Sequence, residues 1–234
     1  MTAMPSTETS IKKNARVAGA LYLALVLAAP LRLIYVPSVM YVARDAAATA
    51  SKIAAHQTLF RLGITADLLC GVILIFLTLA LYGLFEGVDR GLAMLMVISG
   101  GVLPAAIDFF NVVNDMAALM LVRGATFLEV FEKPQRDALA MFFLRLHEQE
   151  IVAAQVLWGL WLFPLALLTI RSRFLPRILG YWLILNGIAY IASSLTGIFF
   201  PQYQQTFGAC TFPALLGEVA FMLWLVIKGA KPRV

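Results

Sequence analysis

The residues of this 234-residue chain whose types and surroundings suit chemistry are Arg32, Arg61, Asp67, Asp108, Asn111, Asp115, His147, Glu150 and Glu218. All lie inside or beside long apolar stretches. Ionisable groups are expensive in hydrocarbon and normally face the interior of a helix bundle. Asp108, Asn111 and Asp115 are spaced i, i+3 and i+7 and share one helical face, while His147 and Glu150, at i and i+3, share another. Carboxylates and an imidazole so placed can bind a small polar ligand or relay protons. Asp115, His147 and Glu150 are also ligand types suited to zinc, manganese or non-haem iron. The chain has two histidines, and His56 falls in a connection. Carboxylate-bridged di-iron bundles use Glu-x-x-His on paired helices, whereas this chain has a single His147-x-x-Glu150 in the reverse order. It has no His-Glu-x-x-His, Gly-x-Ser-x-Gly or Walker loop. Ser193 and Ser194 have no evident base. The sequence therefore carries no metal or cofactor signature and assigns no catalytic residue.

The elements that position these groups follow from composition. The chain is 62% hydrophobic and 13% charged, with mean hydropathy +0.87. A soluble domain has about twice that charge. The balance excludes an ordinary soluble enzyme, a disordered chain and a nucleic-acid binder. A membrane helix needs about 20 mostly apolar residues. Six stretches qualify, at about 17–36, 59–85, 92–122, 134–170, 178–200 and 212–227. The first resembles a signal peptide at its start, but apolar character resumes after Arg32, which favours a retained helix. The polar segment 201–208 reads as a turn. The third and fourth stretches exceed the bilayer and must project or tilt.

Orientation follows the distribution of basic residues. Lys12, Lys13, Arg16, Arg90, Arg171, Arg173, Arg177, Lys228, Lys231 and Arg233 outnumber Arg44, Lys52, Arg123, Lys133 and Arg136 on the opposite side, which puts both termini in the cytoplasm. Asp45 is an N-cap for a short helix over Ala46–Ala55, Gly124 is a stop for the third span, and Pro104 and Pro164 should kink theirs. Cys70 and Cys210 are not expected to pair.

Depth along each helix, at about 1.5 Å per residue, places the polar residues in the outer third of the membrane or just above it. The expected picture is one polar layer around a cavity open to the outside. Consecutive spans three and four should set Asp108, Asn111 and Asp115 opposite His147 and Glu150. Bland alternatives stand beside this. Arg32 can form a structural ion pair with Asp67 or Glu218. Arg61 can snorkel. Asn111 and Asn114 can serve as interhelical glue. Arg145 and Glu148 can pair on an exposed helix extension.

Three stretches carry a resemblance: Leu59-Phe-Arg-Leu-Gly-Ile-Thr-Ala-Asp-Leu-Leu-Cys70, Trp158-Gly-Leu-Trp-Leu-Phe-Pro164 with Phe174-Leu-Pro-Arg-Ile-Leu-Gly180, and Gly217-Glu-Val-Ala-Phe-Met-Leu-Trp-Leu-Val-Ile-Lys-Gly229. From about Ile11 to Gly229 the chain resembles the bacterial membrane family known as domain of unknown function 4386. The resemblance implies a multi-pass protein of a bacterial cell membrane and no particular activity. Arg61, Asp67 and Glu218 lie within these stretches.

The expectation is thus an all-α bundle of six transmembrane helices, with a polar tail at 1–15 and a membrane domain at 16–230. Its partners would be the lipid bilayer and a small-molecule ligand, with no nucleic acid. Three readings of function stay open: a sensor or transporter-like binding protein, a metal-dependent intramembrane enzyme acting on a lipid-like substrate, and a structural or assembly protein.

Overall fold

The computed structural model describes residues 5–230, with side chains from Ile11 onward. Within them the chain is all-helical. Helix α1 (Pro5–Pro30) runs through a π-helical segment, Leu31–Tyr35, into α2 (Val36–Met40). Next come the short α3 (Ala46–Ala55), then α4 (Gln57–Phe85), α5 (Arg90–Val97), a π segment at Ile98–Val102 and α6 (Leu103–Arg123). Helices α7 (Lys133–Leu160), α8 (Leu162–Ser172), α9 (Arg177–Phe199) and α10 (Gln204–Ile227) complete the chain.

Among the described residues, six helical runs are long and apolar enough to span a membrane: Ile11–Met40, Gln57–Phe85, Arg90–Arg123, Lys133–Ser172, Arg177–Phe199 and Pro201–Ile227. Many large apolar side chains along them, such as Phe110, Val113, Leu185 and Ile188, are exposed. That is the surface a lipid environment requires. The protein is a multi-pass membrane protein. The third and fourth runs, of 34 and 40 residues, exceed the roughly 20 that cross a bilayer, as their sequences anticipated.

The local signals are visible as caps and breaks. Asp45 accepts a hydrogen bond from the Ala48 amide at 2.8 Å and starts α3. Gly124 takes φ +70° directly after α6. The π segment Ile98–Val102 immediately precedes Leu103-Pro104, and a break at Trp161 precedes Leu162-Phe-Pro164. The last span departs from its reading: the amide-rich stretch taken as a turn is helical from Gln204. Its amides lie at a span end, where water satisfies them and the helix can begin early. Only part of the expected tail, from Pro5, falls within the described residues, and that part is continuous with α1. Lys231 and Arg233, used for orientation, lie outside them.

The chain divides into two compact units. One holds the described residues up to Val26, Val72–Ala105 and the described residues from Val152 on; its core centres on Tyr22, Leu77, Leu81, Met96, Leu165 and Phe221. Close helix approach inside this unit rests on glycine. A Cβ on Gly159 would lie 2.5 Å from the Gly187 carbonyl, and one on Gly187 2.8 Å from the Gly159 carbonyl. Small residues permit such contact between membrane helices.

The other unit comprises Leu27–Gly71 and Ala106–Ile151. Its apolar core is formed by Val36, Met40, Ile53, Phe60, Leu119 and Leu144, with Ala118 and Ala140 buried among them. Thr49 is buried and ties the turn before α3 together, receiving the Val42 amide at 3.0 Å and donating to the Asp45 carbonyl at 2.8 Å.

Candidate functional site: a buried ionic cluster

Within the unit built from Leu27–Gly71 and Ala106–Ile151, four helical segments bring Arg32, Asp67, Asp115 and His147 together. Arg32 projects from the π segment that follows Pro30. Proline removes one helical N–H, and π-helical turns widen a helix and recur at functional sites. Arg32 is 3% exposed, Asp115 3% and His147 1%.

The arginine Nε donates to Asp67 Oδ2, and its Nη2 lies 3.4 Å from Asp115 Oδ2. His147 Nδ1 is 3.4 Å from Asp115 Oδ2 and 3.4 Å from the Asn111 carbonyl oxygen. On the other edge of the ring, Nε2 stands 4.0 Å from Asp67 Oδ2. Asn111 returns the contact: its Nδ2 donates to the His147 carbonyl at 3.2 Å. Each of the two residues thus engages the other's backbone, which fixes the imidazole relative to α6. Asn114 donates to Asn111 Oδ1 at 3.1 Å and to Glu150 Oε2 at 3.3 Å. The network therefore runs without a gap from Glu150 through the two asparagines to the ionic centre.

Three buried atoms in the centre have no hydrogen-bond partner: Arg32 Nη2, Asp115 Oδ1 and His147 Nε2. An unsatisfied buried polar atom costs about 1–3 kcal/mol, more when charged. One donor atom from each of Asp67, Asp115 and His147 lies within 4.8 Å of the others, a spacing open to a metal ion.

The structure sorts the sequence candidates plainly. Arg32, Asp67, Asn111, Asp115, His147 and Glu150 share this network. Asp108 belongs to the same unit and is in electrostatic contact with Asp67 and Glu150, without a direct hydrogen bond. Arg61 is exposed on α4, and its side chain does not enter the cluster. Arg145 pairs with Glu148 at 2.6 Å on an exposed face, as the simple reading held. Glu218, placed in the same layer by depth, has other partners: Tyr22 and Tyr190 donate to its carboxylate, and Asn186 Nδ2 donates at 3.1 Å. All four belong to the unit that contains α9 and α10. Arg32 chooses Asp67 and Asp115 and leaves Glu218 to neutral donors. As potential metal ligands, Asp115 and His147 are joined by Asp67, while Glu150 is held by Asn114.

Sequence reasoning missed Tyr41, Tyr22, Tyr190 and Asn186. Burial and the neighbouring Asp115 carboxylate push the Tyr41 phenol above its ordinary range, which keeps it a neutral hydroxyl beside the ionic centre. Lone tyrosines and an asparagine in apolar runs look like interface markers or packing, so they gave little signal. A groove of about 390 Å³ in this unit is lined by Met116, Leu119, Met120, Arg123, Gly124 and Ala125, and contains none of the acidic candidates.

These features define an all-helical, six-span membrane protein with an ionic cluster held inside its helices. The chain belongs to the family described as Domain of unknown function (DUF4386), which matches residues 17–229. It is also similar to an uncharacterized protein of Archaeoglobus fulgidus, 37% identical over 76 residues, which are 32% of this chain and 44% of that protein. The match thus spans less than half of that relative's length. No solved structure matches.

Proposed function

We propose that this protein binds a small polar ligand at the cluster of Arg32, Asp67, Asp115 and His147, as a membrane sensor or transporter-like carrier. The observation that carries the reading is the set of buried atoms without a hydrogen bond: Arg32 Nη2, which meets Asp115 Oδ2 only as an ion pair at 3.4 Å, Asp115 Oδ1 and His147 Nε2. Together they offer a donor, an acceptor and an imidazole edge. A ligand with both an acceptor and a donor group satisfies all three. A purely structural ion-pair network has no need of them, because buried polar groups in native proteins are almost always paired.

Orientation is part of the proposal. The excess of basic residues on the side of the termini places those termini in the cytoplasm and the connections at 41–56 and 124–132 outside. The cluster then belongs to the outer half. Sensing is favoured over transport, because the sequence has no layer of ionisable residues in the cytoplasmic half comparable to the outer one.

The test is a thermal-shift screen of the detergent-purified protein against amino acids, polyamines, small carboxylates and nucleosides. At least one compound should raise the unfolding midpoint saturably, and Asp115→Asn should abolish that shift. If no compound moves the wild-type midpoint, the cluster is structural and the reading fails.

A further inference from the structure

We infer that Asp67, Asp115 and His147 form a binding site for a first-row divalent metal ion, zinc or manganese. The inference deepens the reading above and rests on it, since the ion would be the first component of the bound ligand.

The donor set comes first. An imidazole nitrogen and two carboxylates suit these ions, and their donor atoms already lie within 4.8 Å of one another. The 4.0 Å between His147 Nε2 and Asp67 Oδ2 is within the separation that two ligands of one ion bound at about 2.0–2.2 Å can have.

Acidic neighbours alone would not establish a site. The independent observation is His147. Its side chain is 2% exposed, its Nε2 has no partner, and that nitrogen is aimed at Asp67. Its Nδ1 faces the Asn111 carbonyl oxygen at 3.4 Å. Metal-ligating histidines commonly donate their second N–H to a backbone carbonyl, which fixes the tautomer and leaves the other nitrogen's lone pair for the metal. Asp115 Oδ1, also without a partner, supplies a second free ligand atom.

Charge points the same way. Among the described residues, Arg32 is the one arginine or lysine paired with Asp67 or Asp115. Two carboxyls therefore face a single guanidinium in an environment that penalises uncompensated charge. Arg32 does not block the site: it holds Asp67 through Nε, as ligating carboxylates are commonly held by an outer partner. Its Nη2 is left to receive an oxygen of whatever polar molecule completes the ion's coordination.

The experiment uses the full chain in mild detergent without a histidine tag. It is incubated separately with zinc and manganese salts, desalted, and analysed by inductively coupled plasma mass spectrometry. The wild type should retain one of the two ions stoichiometrically. Occupancy in His147→Ala and in Asp115→Asn should drop by more than the roughly 10–100-fold affinity loss that outer partners cause, while Arg145→Ala should keep it. X-ray absorption of the loaded wild type, which needs no variant to fold, should show nitrogen and oxygen ligands and no sulfur. Absence of a retained ion, undiminished retention in both variants, or a sulfur ligand from Cys70 or Cys210 overturns the inference. If no ion is retained but a compound still stabilises the protein in the presence of a chelator, the metal site falls and the small-ligand reading stands. If the ion is retained but no compound shifts the midpoint, the small-ligand reading falls instead.

Discussion

His147 Nε2 lies 4.0 Å from Asp67 Oδ2, too far for a hydrogen bond, with both residues held in place from behind by other groups. Asp67 is fixed by Arg32 Nε, and the imidazole by the Asn111 backbone. Two polar groups this close inside a membrane span, neither bonded to the other, are the geometry from which the binding account starts.

Arg32 and Asp67 should be strongly coupled. Removing one partner of a buried pair costs about 3–5 kcal/mol, whereas replacing both with apolar groups is often near neutral. Asp67→Leu should therefore lower the detergent unfolding midpoint, Arg32→Met should lower it further because it also leaves Asp115 without its cation, and the double variant should lose less than the sum of the two. Thermal unfolding in a double-mutant cycle measures this. Additive losses would show that the pair is not coupled.

Glu218 should act on stability through its neutral donors. Glu218→Leu leaves the Tyr22 hydroxyl and the Asn186 amide, 2% and 0% exposed, without their acceptor. Each orphaned group should cost about 1–3 kcal/mol. Glu218→Gln keeps an acceptor and should lose less. Equal midpoints for the two variants would contradict the hydrogen-bond account.

The Gly159–Gly187 contact predicts a sharp steric response. Gly187→Ala drives a methyl to 2.8 Å from the Gly159 carbonyl, and overpacking of this kind costs about 1–3 kcal/mol. Gly83→Ala meets nothing within 4 Å and is the control, expected at or above wild-type stability. Unfolding midpoints of the two variants decide the matter; a Gly187→Ala protein as stable as Gly83→Ala would mean the helices can part without cost.

Asp45 should govern α3. Losing an N-cap typically costs about 1 kcal/mol, and Asp45→Ala removes the acceptor for the Ala48 amide. Hydrogen exchange over residues 46–49 should speed up, with the spans unaffected. Unchanged exchange there would show that tertiary contacts, with Ile53 and Thr49 buried, hold the helix by themselves.

Much of this was legible in the sequence because hydrocarbon imposes simple rules. Long apolar runs gave the spans, Gly124 marked the end of one and Asp45 the start of the short α3, and the i, i+3, i+7 spacing put Asn111 and Asp115 on the face that meets His147. Choice of partner was not legible. Depth along a helix is one coordinate, and it placed Glu218 with Arg32 because both are ionisable at similar depth. Which residues touch depends also on helix rotation and neighbour order. Those are set by close approaches such as Gly159–Gly187 and by the π segment under Arg32, which periodicity does not reveal. Tyr22 and Tyr190 escaped notice because a phenol in an apolar helix declares nothing until the carboxylate it serves is known. The helical start of α10 at Gln204 was hidden for a related reason: amides and a glycine resist hydrocarbon but not a helix end at its edge.

The most direct test of the central claim, that the cluster binds something, is native mass spectrometry of the intact protein released from mild detergent. The account predicts that the wild type carries a discrete bound mass, an ion, a small molecule or both, and that His147→Ala and Asp115→Asn fly as the bare chain. A bare wild-type chain under conditions that preserve its fold, or an adduct that persists in both variants, would contradict it.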